Sequence, residues 1–150
     1  TALVCIAACL TVGAAMTAEG QDAGGLAVSS AAPPLSVVDA QGKATMIPAA
    51  TGRPALIEFW AVWCEYCARL EPRLVKAHAR FGAHVDFYAV AVNVNESARR
   101  VFDHARTHQL PYPVSYDRSG MATRAFDVPA TSFVVVLDAE RARDLLRPRR

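Results

Sequence analysis

From residue 35 onward the apolar positions fall into short runs separated by turn residues. Residues 35–39 alternate weakly, Gln41-Gly42 reads as a turn, and 44–48 reads as the returning strand of a β-hairpin. After the break at Gly52-Arg53-Pro54, the run ALIEFWA at 55–61 is short and continuously apolar, as in a buried strand, with one acid, Glu58, at its middle. Between 64 and 81 the period changes. Leu70, Leu74, Ala77 and Phe81 recur at steps of three and four, which predicts a helix that Pro72 should kink and Gly82 should end.

The same reading continues to the end. VDFYAVAVNV at 85–94 predicts a strand. Residues 96–109 predict a helix capped by Asn95, with Val101, Ala105 and His108 on one face. Pro111-Tyr112-Pro113 is extended, 114–116 a short strand, 119–126 a short helix, and SFVVVLD at 132–138 the clearest strand in the chain. Residues 139–147 would add a last helical turn or two. Strands alternating with helices imply parallel pairing and a layered α/β domain.

The first 34 residues follow neither period. Residues 1–18 are uncharged and small or aliphatic, as in the apolar core of a secretory signal peptide, yet lack an initial Met and a basic segment, so truncation at this end is expected. Three readings stand: a cleaved signal peptide, a lipid anchor on Cys9 (Ile6-Ala7-Ala8-Cys9 resembles a lipobox), and a retained membrane anchor. All three place the domain outside the cytoplasm, in the periplasm or its equivalent, secreted or tethered to the membrane. Residues 19–34 are small and polar, a flexible linker. The domain is assigned to 35–150.

Composition narrows the classes. Of 150 residues, 53% are hydrophobic, enough for a core and too many for a disordered chain. The net charge of +2 is too even to predict nucleic-acid binding. The arginines at 141, 143, 147, 149 and 150 read as a solvated face.

Chemistry concentrates at Trp63-Cys64-Glu65-Tyr66-Cys67, between the buried strand and the helix. A cysteine at a helix N-terminus faces unpaired N–H groups and the positive end of the helix dipole, which favours the thiolate. Cys67 lies one turn further in, within bonding reach. Half a zinc site would share the C-x-x-C spacing, but the other cysteines, Cys5 and Cys9, lie in the leader. His104 and His108 have the i, i+4 spacing of a metal clamp, but Arg99, Arg100 and Arg106 in the same segment oppose a cation. No metal and no cofactor are expected.

Glu58 to Cys67 (EFWAVWCEYC), Pro72 five residues on, and Val128-Pro129-Ala130-Thr131 before the last strand together resemble the thioredoxin-fold proteins. The leader, the hairpin and the segment 101–126 resemble in particular the exported TlpA/ResA-type thiol–disulfide oxidoreductases. The resemblance implies a thioredoxin-like fold with an N-terminal β-hairpin. It implies that Cys64 attacks a substrate disulfide, that Cys67 resolves the mixed disulfide, and that Glu58, a buried acid, exchanges the Cys67 proton. Trp63 would cover the disulfide and Trp60 would belong to the core. Pro129 would be cis, with the Val128 backbone beside the substrate. The partners implied are protein disulfides and a membrane-borne thiol electron donor, with cytochrome c maturation as the setting.

The sequence departs from that pattern in three places. Glu65-Tyr66 lacks the frequent proline, and a carboxylate beside Cys64 argues for a reductase over a strong oxidant. The acid that many of these reductases carry three residues after the second cysteine is replaced by Leu70, with Glu71 one later. The chain stops where the family adds a last strand and helix, so either these are missing or 139–147 covers part of the gap. Missing, they would leave an apolar strand with an open edge. The rival readings are an oxidant or isomerase, and a copper-binding or redox-sensing module. Copper modules of related fold space their cysteines one residue wider and add a nearby His. The segment Pro-x-x-x-Thr-x-x-Cys that a peroxidase would carry is absent.

Overall fold

The computed structural model describes residues 35–49 and 51–140. The leader, the linker and the arginine-rich tail lie outside the described residues. Among those described, no helix is long and apolar enough to cross a membrane.

The hairpin forms as its pattern predicts. Strands β1 (Leu35–Val38) and β2 (Ala44–Ile47) pair antiparallel, and Asp39 Oδ1 accepts the backbone N–H groups of Gln41 and Lys43 to close the turn. The apolar run becomes β3 (Ala55–Trp60). It pairs parallel with β4 (Asp86–Ala91) and antiparallel with β6 (Phe133–Leu137). With β5 (Val114–Tyr116) the six strands take the order β2-β1-β5-β4-β3-β6. β3 and β4 are therefore central, which is why they read as continuous hydrophobic runs.

Side chains alternate across β3, so Leu56, Glu58 and Trp60 share one face and Ala55, Ile57 and Phe59 the other. On the first face lie helices α1 (Glu65–Phe81) and α2 (Ala98–Thr107): His78 of α1 packs edge-on against Phe87, and the ring of His104 of α2 lies tilted against Trp60. On the second face Phe59 packs against Phe126, just after α3 (Met121–Ala125), with ring centroids 5.7 Å apart. Both phenylalanines are fully buried.

Helix α1 continues through Pro72, which lacks the N–H that would reach back to Ala68. It stops at Gly82, where a Cβ would stand 2.7 Å from the carbonyl oxygen of His78. Helix α2 begins later than the pattern suggests. Ser97, not Asn95, is its cap, the Ser97 hydroxyl accepting the N–H of Arg100, while Asn95 takes a left-handed turn with φ 50°. β4 ends at Ala91 because the chain leaves the sheet there, exposing Val94. β6 lies at the end of the sheet with Val136 68% exposed, so the expected apolar edge strand is open among the described residues. The expected cis bond at Pro129 is not found. Val128–Pro129 is trans, and the cis bond among the described residues is Ile47–Pro48. Trans is the lower-energy form of an X–Pro bond by about 0.5–1 kcal/mol. The loop turns instead at Asp127 and Ser132, both at positive φ.

Candidate active site

Cys64 stands between the end of β3 and the start of α1, in extended conformation, and is the N-cap of that helix. It is disulfide-bonded to Cys67, the Cα atoms 5.2 Å apart. Its Sγ also accepts the Cys67 backbone N–H at 3.1 Å. Both cysteines are buried, Cys67 slightly more.

Two residues remote in sequence hold the loop before Cys64. The buried Glu96 carboxylate accepts the Val62 N–H at 2.8 Å and the Ser97 N–H at 3.0 Å. The Trp63 indole donates to the Val94 carbonyl at 2.9 Å. Trp63 is half-exposed and forms one wall of a groove of about 210 Å³. The groove's other walls include Val92, Val94, Val128, Pro129 and Thr131, so it is mainly apolar. The Val128 N–H is already used, donating to Thr123 in α3. Buried Asp117 supports α3 by accepting from both the N–H and the hydroxyl of Thr123, each at 2.8 Å.

Glu58 is 4% exposed, and its Oε1 has no hydrogen-bond partner among the described residues. Burial, and secondarily the negative charge of Glu71, push its carboxyl up to about 7. Tyr112 feels the same surroundings. Burial, then the charges of Glu58 and Glu71, raise its phenol. Glu65, the acid between the cysteines, points away into solvent and pairs with Arg69 one turn on.

Glu71 is not the plain surface charge its position suggests. Its two carboxylate oxygens hydrogen-bond the imidazoles of His104 (Nε2) and His108 (Nδ1), each at 2.6 Å. Burial raises its carboxyl, but these two bonds and the histidines' charge outweigh burial and hold it below the usual carboxylate range. The sequence showed the i, i+4 histidines, but not that an acid 33 residues upstream completes the group. Glu96 was also missed as a site residue, since nothing local marks it.

A CxxC disulfide at the head of a helix, beside a central parallel sheet, with a buried acid on the preceding strand, defines a thioredoxin-like protein. The model of the AhpC/TSA family matches residues 28–143, and the chain belongs to that family. It is 29% identical over 108 residues to the thiol-disulfide oxidoreductase ResA of Bacillus subtilis, covering 71% of this chain and 60% of that protein. It is 26% identical over 98 residues to the thioredoxin-like protein YneN of the same organism, covering 65% and 58%. The chain thus spans about three-fifths of the length of these curated relatives. Among solved structures, a thioredoxin-family thiol:disulfide interchange protein from Chlorobium tepidum superposes with a TM-score of 0.64 at 25% identity, covering 75% of this chain and 81% of that one. A secreted disulfide oxidoreductase of Mycobacterium tuberculosis superposes at 0.62 with 21% identity, covering 71% and 77%.

Proposed function

We propose that the protein is an extracytoplasmic thiol–disulfide oxidoreductase that reduces protein disulfides. One observation carries the reading: the Cys64–Cys67 disulfide caps α1 beside an apolar groove, with the buried Glu58 on the strand that leads into it.

In the reduced protein, the Cys64 thiolate attacks one sulfur of a substrate disulfide. That S–S bond breaks and the departing substrate sulfur takes up a proton. Cys67 then loses its proton, attacks the Cys64 sulfur and releases the second substrate thiol. Two electrons and two protons have passed to the substrate. Glu58 fits the proton exchange at Cys67, because a carboxyl near 7 is both an acceptor and a donor at neutral pH. The apolar groove suits an extended substrate segment, with Trp63 on one side and Val128 and Pro129 on the other. A membrane-borne dithiol would restore the reduced pair.

Location outside the cytoplasm is supported by the apolar leader and by likeness to a protein described as secreted. A role in cytochrome c maturation rests on resemblance to the TlpA/ResA-type reductases. The direct test is reduction of a protein disulfide, such as that of insulin, by dithiothreitol. The protein is expected to accelerate it and Cys64→Ala to abolish the acceleration. Equal rates with and without the protein would refute the reading.

A further inference from the structure

We propose that Glu71, His104 and His108 form a binding site for a divalent transition-metal ion, with Zn2+ the best match to the donors. The residues come from two helices. Glu71 lies on α1, four residues after Cys67, and His104 and His108 lie one turn apart at the end of α2. One ligand atom from each lies within 4.8 Å of the other two. Two imidazoles and a carboxylate are a known zinc donor set, and three protein ligands leave a fourth position for water or another ligand.

The surroundings favour a cation more than the sequence suggests. The three arginines that argue against one are each paired with an acid: Arg99 and Arg106 with Asp103, and Arg100 with Glu96. Access comes from the His108 side, 45% exposed, while Glu71 and His104 are largely covered. Trp60 packs on the inner side, its ring centroid 5.2 Å from that of His104, and the two histidine rings stack at 3.8 Å. In the metal-free protein the imidazole N–H groups satisfy the carboxylate. On binding, the ion would take those two nitrogens, and each imidazole would carry its N–H on the other ring nitrogen. The proposal does not require the proposed redox activity.

The test uses the full chain with the Cys64–Cys67 disulfide intact and the thiols of Cys5 and Cys9 alkylated, titrated with ZnCl2 by calorimetry. The expected result is one ion per chain with Kd on the order of micromolar or tighter. Glu71→Gln, His104→Ala and His108→Ala should each weaken binding about tenfold or more. His108 is exposed and ends its helix, so its variant is the one expected to keep the fold, as circular dichroism would verify. A second reading uses Cu2+, whose binding should quench Trp60 fluorescence in wild type and not in His108→Ala. No stoichiometric binding, or equal binding by folded His108→Ala, would overturn the proposal.

Discussion

The sulfur of Cys64 is bonded to Cys67 and also accepts the Cys67 backbone N–H at 3.1 Å, so one atom is both half of the disulfide and the cap of the helix that carries the other half. An N–H aimed at a sulfur at the head of a helix favours its thiolate, which supports the proposed role of Cys64 as the nucleophile. Cys67→Ser should therefore accumulate a mixed disulfide with an insulin chain on Cys64, visible by intact-mass spectrometry. Cys64→Ser should accumulate far less. The reverse pattern would exchange the two roles.

Glu58 gives a pH dependence with an unusual sign. Its folded value, about 7, lies above the ordinary 4.5, so the folded state holds its proton more tightly than the unfolded chain. Below 4.5 the carboxyl is protonated in both states and costs nothing. As pH rises towards 7 and beyond, stability falls, by roughly 3 kcal/mol at most. Glu58→Gln should be more stable than wild type at pH 8 and nearly equal to it at pH 4, in urea denaturation. It should also lose the pH dependence of disulfide exchange between 6 and 8. A wild-type stability that does not fall between pH 4.5 and 8 would contradict the assignment.

Glu71 is the second cause of the Glu58 shift. Removing its charge with Glu71→Gln should lower the Glu58 value, moving the pH midpoint of exchange to more acid pH while leaving Cys64 in place. An unmoved midpoint would show that burial alone sets Glu58.

Glu96 fixes the loop before Cys64 through the Val62 N–H. Glu96→Ala leaves that N–H and the Ser97 N–H without their acceptor, at a cost of about 1–3 kcal/mol by chemical denaturation. The exchange rate should fall as well, because Trp63 and Cys64 follow Val62 directly. Glu96→Gln, which keeps an acceptor oxygen, should recover part of both losses.

Val136 stands 68% exposed on the outer strand β6. Among the described residues the outer edge of β6 is unpaired, and an open apolar edge recruits other strands. Val136→Lys should reduce self-association, measured by light scattering, with little change in melting temperature.

The chemistry that was legible in the sequence is the chemistry written locally. Trp63, Cys64 and Cys67 sit at a strand-to-helix junction whose two periods are plain, and Glu58 lies on that same strand. The groove residues Val128 and Pro129 could be named from their motif. The backbone between them could not, since the bond is trans and the turn is made by Asp127 and Ser132. Ser97 displaced Asn95 as the cap because the choice depends on where the chain leaves β4, which tertiary packing decides. Glu71 with His104 and His108, and Glu96 with Val62, join residues more than thirty positions apart. No spacing rule reaches across that distance, and only the packing of α1 and α2 on one face of the sheet brings them together.

The reductase reading is tested most directly by the equilibrium reduction potential of the Cys64/Cys67 pair, measured against a dithiol buffer at pH 7. A value near or below about −250 mV is predicted. A value near about −120 mV would make the pair an oxidant and contradict it.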